Sequence, residues 1–272
     1  RLGVEGDWNN PYLTMSNQAE AQIVRELGKF LLDKSLYKGA KPVLWSVVEK
    51  TALADAEVEY EDHTSNTIHV KFNIIKSSIE ELINSNIVIW TTTPWTIPGN
   101  RAVAYGCKLE YNLIEIKKIS EKSLANIGEK IIVAKELTQQ VLSEIGITES
   151  NILKTFLGKE LEGTECEHPF KFLGYDFIVR VLEGDFVNLE QGTGIVHIAP
   201  GHGVDDYNLG IKNGVDIVQT LKDDGTFNHH AIGFENEHVY EVDLKIVNKL
   251  KELNKLLYLG TLRHSYPHSW RS

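Results

Sequence analysis

The fold is decided at Ile87-Val88-Ile89-Trp90-Thr91-Thr92-Thr93-Pro94-Trp95-Thr96-Ile97-Pro98-Gly99-Asn100, where a short apolar run enters a turn rich in threonine and proline. The apolar run predicts a buried strand, and each proline pushes the residue before it out of helical conformation. We therefore expect an extended, stiff loop that holds at least one threonine hydroxyl toward a cleft. The alternative is that the threonines merely end a strand, because threonine has a high β propensity.

A second segment with similar chemistry is Gly192-Thr193-Gly194-Ile195-Val196-His197-Ile198-Ala199-Pro200-Gly201-His202-Gly203-Val204-Asp205-Asp206-Tyr207. Its apolar part predicts a strand, and the glycine-rich turn after it leads into a helix that begins near Asp205. Such a turn can bring His197 and Asp206 to the same cleft. Simpler roles remain open, since Asp205 can cap the helix and a histidine at a strand end is often structural.

The rest of the chain predicts more strands than helices. Period-two alternation over 68–74 indicates a half-buried strand. Further strands are expected at 102–105, 112–116, 130–134, 176–181 and 194–198. Helices are expected in the first forty residues after Ser16 as N-cap, at 135–145, from Val204 onward, and at 239–257. The predicted fold class is α+β and mostly β, a barrel with covering helices; a parallel α/β sheet is the weaker alternative.

Composition excludes several classes of protein. No apolar run approaches the ~20 residues that span a bilayer, and the first residues lack the layout of a signal peptide. The two cysteines form no CxxC pair, so we expect a reducing, cytoplasmic setting without a disulfide framework or a zinc site. A net charge of −10 argues against wrapping duplex nucleic acid, but it permits a pocket for one nucleotide end or for an ammonium group.

Neither a nucleotide-binding nor a zinc motif is complete in this sequence. Gly192-Thr193-Gly194 is followed by His197 where GxGxxG requires a third glycine, and GxxxxGK[ST] and HExxH are absent. His197, His202, Asp205 and Asp206 could still ligate a divalent metal, although their spacing matches no known zinc motif.

Together, the two quoted segments resemble the editing domain of the class I isoleucyl-tRNA synthetases. The resemblance extends to Arg1-Leu2-Gly3-Val4, to 52–60 and to 263–271, and it is weak between Ile116 and Phe186. Ser46 and Ser269 stand near where the family often has cysteines, and its HIGH and KMSKS signatures are absent. The resemblance therefore implies an excised, monomeric fragment without a metal or cofactor of its own, whereas its parent enzyme would use ATP and Mg²⁺ for aminoacylation.

The same resemblance implies a division into domains. Residues 1–45 would approach from the synthetic core, 46–258 would form the barrel-like editing domain shared by valyl, isoleucyl and leucyl enzymes, and 259–272 would return to the core. The implied partners are the aminoacylated 3′ end of tRNA(Ile) and its valine moiety, with no membrane. The implied reaction is hydrolysis of mischarged Val-tRNA(Ile), an isoleucine-over-valine discrimination that is the standard example of a double sieve.

Site roles follow from matching positions to the family. Asp206 would pair with the substrate ammonium, and His197 would wall the side-chain pocket. The hydroxyl and backbone groups of Thr91, Thr92 and Thr93 would hold the terminal adenosine and the attacking water. Trp95 and Asn100 would line or brace the nucleotide end. The group that activates water stays open, and the substrate's own ribose hydroxyl could assist.

Two other functions remain possible from the sequence. One is a metal-dependent hydrolase built on His197, His202 and Asp206. The other is a module that binds the tRNA 3′ end without catalysis.

Overall fold

The computed structural model describes residue 3 and residues 5–272. The chain divides into two compact units between Ala40 and Lys41. Arg1, Leu2 and Val4, which belong to the opening segment quoted for the resemblance, lie outside the described residues. Within the described part, no helix combines the length and the apolar character needed to cross a membrane.

The first unit contains one helix, α1, at Asn17–Leu32. Ser16 is its N-cap, as the sequence predicts, and the Ser16 hydroxyl accepts a hydrogen bond from the Ala19 amide at 3.3 Å. Glu20 in the first turn and Lys29 in the last turn both complement the helix dipole. The helix ends at Leu32, so it fills only part of the first forty residues in which a helix was expected.

The second unit is dominated by strands. Its helices are α2 (Thr138–Glu144), α3 (Val204–Asn213) and α4 (Asp243–Glu252). Its strands are β1 (Trp45–Ser46), β2 (Thr51–Ala52), β3 (Val58–Lys76), β4 (Asn86–Thr91), β5 (Ala102–Tyr105), β6 (Glu110–Ile119), β7 (Lys130–Ala134), β8 (Ile147–Leu157), β9 (Glu165–Glu167), β10 (Ile178–Glu183), β11 (Ile195–Ile198) and β12 (Leu256–Ser269).

Ten of these strands form one sheet in the order β11-β5-β10-β9-β3-β4-β7-β6-β8, with β12 paired to β3. The sheet curls, because β11 at one end also lies against β4. Strand β5 has two neighbours, β11 on one side and β10 on the other. It pairs antiparallel with β11, where Val103 faces His197, and parallel with β10, where Ala102 faces Arg180.

This register explains how distant segments meet. The turn between β4 and β5 comes directly before Ala102, and Ile198 at the end of β11 is the partner of Ala102. The Arg101 amide donates to the Ile198 carbonyl at 2.9 Å, which extends the pairing into the turn. The chain that leaves β11 therefore begins beside the threonine-rich turn.

Over residues 68–72 the central strand β3 is buried on both faces, which corrects the half-buried strand expected over 68–74. Ile68, Val70 and Phe72 lie in the core, and the alternating His69 and Lys71 are buried as well. Lys71 is accommodated because its ammonium donates to Glu129 at 2.7 Å and to Asn254 at 3.3 Å. The polar residues of the alternation thus face a second packed layer instead of solvent.

Two further expectations need correction. The helix expected over 239–257 is shorter, since α4 ends at Glu252 and Leu257 belongs to β12. Asn254, with φ of 54°, reverses the chain between the two. The residues of 94–99 form a 3-10 helix instead of an extended loop. Pro94 at its first turn loses no hydrogen bond there, because the first amides of a helix have no partner within it.

Candidate functional site

A cavity of about 380 Å³ opens between the two segments singled out in the sequence. The first segment contributes residues from the end of β4 and the start of the turn, and the second contributes β11 and the start of α3. The lining side chains are those of Trp90, Thr91, Thr92, Thr93, Thr96, Phe186, Asn188, Glu190, Gln191, Thr193, Ile195, Val196, His197, Ala199, His202 and Asp206. The volume suits one amino acid together with part of a nucleotide.

The threonines at the end of β4 form a hydrogen-bonded group. The Thr91 and Thr93 hydroxyls lie 3.1 Å apart, and the Thr93 amide donates to the Thr91 hydroxyl at 3.1 Å. Thr92 also lines the cavity but stands outside this pair. The Thr93 carbonyl accepts the Thr96 hydroxyl at 2.8 Å, so the turn folds back onto the strand end. Thr91 and Thr96 are buried, whereas Thr92 and Thr93 are half-buried and leave polar atoms accessible to a ligand.

His197 is held in one orientation from both sides. The Asn100 side-chain amide lies 3.1 Å from Nδ1, and because an amide nitrogen only donates, Nδ1 must accept. The ring proton is therefore on Nε2, which donates to the Thr96 hydroxyl at 2.8 Å. Burial lowers the pKa of His197 to about 3, so the ring stays neutral. With both nitrogens engaged, His197 presents ring surface to the cavity and offers no free base.

Asp206 lies in the first turn of α3 and faces the cavity. One carboxylate oxygen accepts the Ala199 amide at 2.7 Å, and this bond ties α3 to the end of β11. Burial raises the pKa of Asp206 to about 6, against the lowering effect of the Ala199 amide. At neutral pH the site therefore contains a partly desolvated carboxylate, which is suited to a cationic partner.

Gly203, the N-cap of α3, allows this carboxylate to lie close to the backbone. A Cβ at position 203 would lie 2.9 Å from the Asp206 carboxyl carbon. Any side chain there would displace the carboxylate. The requirement for glycine was not apparent from the sequence, where Gly203 read only as part of a tight turn.

Two residues expected to line or brace the nucleotide end lie behind the cavity wall. The Trp95 ring packs edge-on against His202, with ring centroids 5.1 Å apart, and it contacts the hydrophobic core. Asn100 is fully buried and donates to the Ala102 carbonyl at 2.7 Å as well as to His197. Neither side chain lines the cavity, and their contacts are with protein groups behind its wall.

Several lining residues were missed in the sequence, of which Thr96 is the most informative. Its hydroxyl joins His197 to the Thr93 carbonyl and thus connects the two segments. Thr96 lies three residues after Thr93, one turn of a 3-10 helix, and assigning that helix would have revealed it. Trp90 and Phe186 also line the cavity, but nothing in their sequence context distinguishes them from core aromatics.

The histidines proposed as metal ligands are engaged by other groups. His202 Nε2 lies 2.8 Å from the Thr220 hydroxyl, and both nitrogens of His197 have partners. Burial lowers the pKa of His202 to about 4. Over residue 3 and residues 5–272, no group of three or more His, Cys, Asp or Glu side chains is arranged to hold a metal ion. Metal binding through His197 would require breaking one of its two hydrogen bonds.

Comparisons with known proteins agree on one family. The family described as "tRNA synthetases class I (I, L, M and V)" matches residues 1–242. Proteins named "Isoleucine--tRNA ligase" are similar over all of this chain: 53% identity in Pelagibacter ubique, 44% in Gluconobacter oxydans and 43% in Bradyrhizobium diazoefficiens. The chain spans about 30% of the length of these curated relatives.

A solved structure supports the fold. "The crystal structure of GlLeuRS-CP1" is similar with a TM-score of 0.53 and 15% identity, over 71% of this chain and 98% of that one. The α+β, mostly β class expected from the sequence is confirmed by this likeness and by the strands described above.

Proposed function

We propose that the cavity of this chain, which belongs to the class I tRNA synthetases, is an editing site that hydrolyses Val-tRNA(Ile). One observation carries the proposal: the Asp206 carboxylate and the threonines that end β4 line the same cavity, with the His197 ring beside them. An aminoacyl ester carries an ammonium group, an ester carbonyl and a ribose. These are the groups that such a lining can bind.

Asp206 fixes the substrate's ammonium group. Its half-buried carboxylate has one oxygen bonded to Ala199 and exposes the other side to the cavity. A charge-assisted hydrogen bond to the ammonium is stronger than a neutral one and sets the direction of the ester. The ester carbonyl then lies at a constant distance from the wall of the cavity.

The threonine group positions the nucleotide end and the attacking water. Thr92 presents a hydroxyl outside the Thr91–Thr93 pair, and the turn that follows is stiffened by the Thr96 hydroxyl. An aminoacyl ester is already activated, so orientation and stabilisation of the oxyanion can accelerate its hydrolysis without a covalent nucleophile. The ribose hydroxyl of the substrate remains available to assist in activating water, since His197 has no free nitrogen.

His197 sets the size limit. Because two hydrogen bonds fix the ring, it cannot turn aside for a larger side chain. One extra methylene in a rigid pocket is worth about 1–3 kcal/mol of discrimination. The ring would therefore admit valine and reject isoleucine, which is the selectivity that an editing site requires.

The proposal is tested by removing the carboxylate and comparing it with a neighbour. We expect Asp206→Asn to slow single-turnover hydrolysis of Val-tRNA(Ile) roughly ten- to a hundred-fold, since a hydrogen bond to a charged group contributes about 1.5–3 kcal/mol. Asp205→Asn is the matched control, because Asp205 is exposed and does not line the cavity.

The same experiment separates an esterase from a binding module. If the unmodified protein binds Val-tRNA(Ile) without accelerating its hydrolysis, the editing proposal is wrong and a binding function takes its place. If Asp206→Asn and Asp205→Asn are equally active, Asp206 has no part in the reaction.

A further inference from the structure

A second histidine, which does not line the cavity, also contacts the threonine-rich turn. His168 lies in the loop between β9 and β10, and its side chain is fully buried. Because β10 is a parallel neighbour of β5, the loop before β10 lies at the same edge of the sheet as the turn before β5. His168 does not line the cavity, so neither the sequence motifs nor the proposed chemistry includes it.

The hydrogen bonds of His168 have one consistent direction. The Phe170 amide donates to Nδ1 at 3.0 Å, so the ring proton is on Nε2. Nε2 lies 3.1 Å from the Ile97 carbonyl and donates to it. Burial lowers the pKa of His168 to about 3, which keeps this neutral form throughout the working range of pH. The ring therefore always directs a single donor at the turn.

Aromatic neighbours fix the plane of the ring. Tyr175 stacks on it with centroids 4.5 Å apart and an interplanar angle of 10°, and Phe177 lies 5.3 Å away. Phe177 also lies under the Arg101 guanidinium, 4.3 Å from the ring centroid. Arg101 in turn donates to the Asn100 carbonyl at 2.6 Å. The loop thus contacts the turn at two points, through His168 and through Phe177.

The carbonyl that His168 binds is the one that closes the turn. The Ile97 carbonyl also accepts the Asn100 amide at 3.0 Å. Asn100 then donates its side-chain amide to His197 at 3.1 Å. A continuous series of hydrogen bonds therefore runs from His168 through Ile97 and Asn100 to the ring that walls the cavity.

We infer that His168 is a positioning residue for hydrolysis of the aminoacyl ester, which holds the turn of 94–99 so that Asn100 and His197 keep their places. This inference rests on the proposed function. Its alternative is that His168 only fills the core. The two differ in what they predict for kcat, because a misplacement of about 1 Å can cost ~100-fold in rate while a general loss of stability leaves kcat unchanged.

Two substitutions separate the contacts of His168. In His168→Gln the side-chain amide can reach the position of Nε2 and keep the donor to Ile97, while the acceptor for Phe170 is lost. In His168→Asn the side-chain oxygen can replace Nδ1 as acceptor, while the donor to Ile97 is lost. We expect His168→Asn to lower kcat for Val-tRNA(Ile) by about ten-fold at unchanged KM, and His168→Gln to stay within about three-fold of the unmodified protein.

His238→Asn is the matched control for this pair. His238 makes the same two kinds of bond, since Nδ1 accepts the Tyr240 amide at 3.3 Å and Nε2 lies 3.0 Å from the Asp224 carbonyl. It does not line the cavity, and its carbonyl partner lies outside the turn of 94–99. We expect its kcat to be unchanged. Equal kcat in His168→Asn and the unmodified protein would overturn the inference, as would equal losses in the Gln and Asn variants.

Hydrogen exchange gives a measurement that does not depend on activity. In His168→Asn the Thr96 and Asn100 amides, which donate to Thr93 and Ile97, should exchange at least about ten-fold faster while those of β6 keep their protection. An unmodified protein without esterase activity would refute the proposed function, whereas unchanged exchange at Asn100 would refute the positioning role.

If His168→Asn does not fold, Phe177→Leu replaces it: a roughly three-fold or larger fall in kcat at constant KM supports the inference, and an unchanged kcat overturns it.

Discussion

At the level of single residues, burial keeps the histidines of the site and of its surroundings in the neutral form. His197 and His168 are buried and neutral, and in each ring one nitrogen donates and the other accepts, while burial lowers the pKa of the half-buried His202 to about 4. Asp206 is the exception, because burial brings its pKa to about 6, close to neutral pH. Its charge is therefore the one feature of the site that changes within the range in which the protein works.

The pKa of Asp206 leads to a pH profile. The carboxylate must be ionised to pair with the substrate ammonium, so the rate ratio of the unmodified protein to Asp206→Asn should fall as pH drops below about 6 and should be constant well above it. Single-turnover hydrolysis of Val-tRNA(Ile) between pH 5 and 7.5, with spontaneous loss subtracted, measures this ratio. A ratio that does not vary with pH would show that the Asp206 charge is not used.

The sequence predicted these residues unequally. Asp206 and His197 could be predicted because they lie in a recognisable motif at the end of a strand. Thr96 could not, since its role depends on a 3-10 helix that the two prolines argue against. His168 lies in the region of weak resemblance, and only the pairing of β10 with β5 brings it to the turn.

At the scale of elements, the strand and the turn after it have separate tasks. The Thr91 hydroxyl accepts the Thr93 amide and lies within hydrogen-bond distance of the Thr93 hydroxyl, which shapes the end of β4. Thr92 lies outside this arrangement and faces the cavity. We therefore expect Thr91, the last residue of β4, to stabilise the turn, and Thr92, the residue after it, to contact the ligand.

Two isosteric substitutions test this division. Thr91→Val leaves the Thr93 amide without its acceptor, so we expect the free energy of unfolding to fall by about 1–3 kcal/mol. Thr92→Val should change stability by less than about 0.5 kcal/mol while slowing hydrolysis up to ~10-fold. Urea denaturation and single-turnover kinetics measure the two effects. Equal losses of activity and stability in both variants would mean that the whole turn is structural.

Most elements of the fold could be predicted from periodicity. The strands at 87–90, 102–105 and 130–134 were found where apolar residues cluster between turn signals. The helix expected to reach Leu257 ends at Glu252, and residues 256–269 instead pair with residues 58–70 of β3 as β12. Pairing of this kind depends on a partner almost two hundred residues earlier in the sequence, which local periodicity does not report.

At the scale of the whole molecule, buried imidazoles make the fold sensitive to acid. Burial lowers the pKa of His69 and His202 to about 4 and that of His168 and His197 to about 3, against an ordinary value of 6.5. The unfolded chain therefore binds more protons than the folded one between these values. Stability is present above pH 6.5 and is lost as pH falls toward 4.

This loss can be measured directly. Each such histidine contributes a slope of about 1.4 kcal/mol per pH unit, and the raised pKa of Asp206 opposes one of them between pH 4 and 6. We expect the free energy of unfolding to fall by several kcal/mol from pH 7 to pH 5, as followed by urea denaturation. His69→Phe removes one imidazole that lies outside the cavity lining and should reduce the slope. A stability that does not change across this range would contradict the buried, neutral state.

We have proposed that one cavity recognises a valine ester through a carboxylate and a fixed imidazole. The most direct measurement is the single-turnover release of valine and of isoleucine from matched Val-tRNA(Ile) and Ile-tRNA(Ile) by the purified protein. We expect the valine ester to be hydrolysed well above its spontaneous rate, while the isoleucine ester is spared. Release of both amino acids at their spontaneous rates, or at equal accelerated rates, would rule out this function.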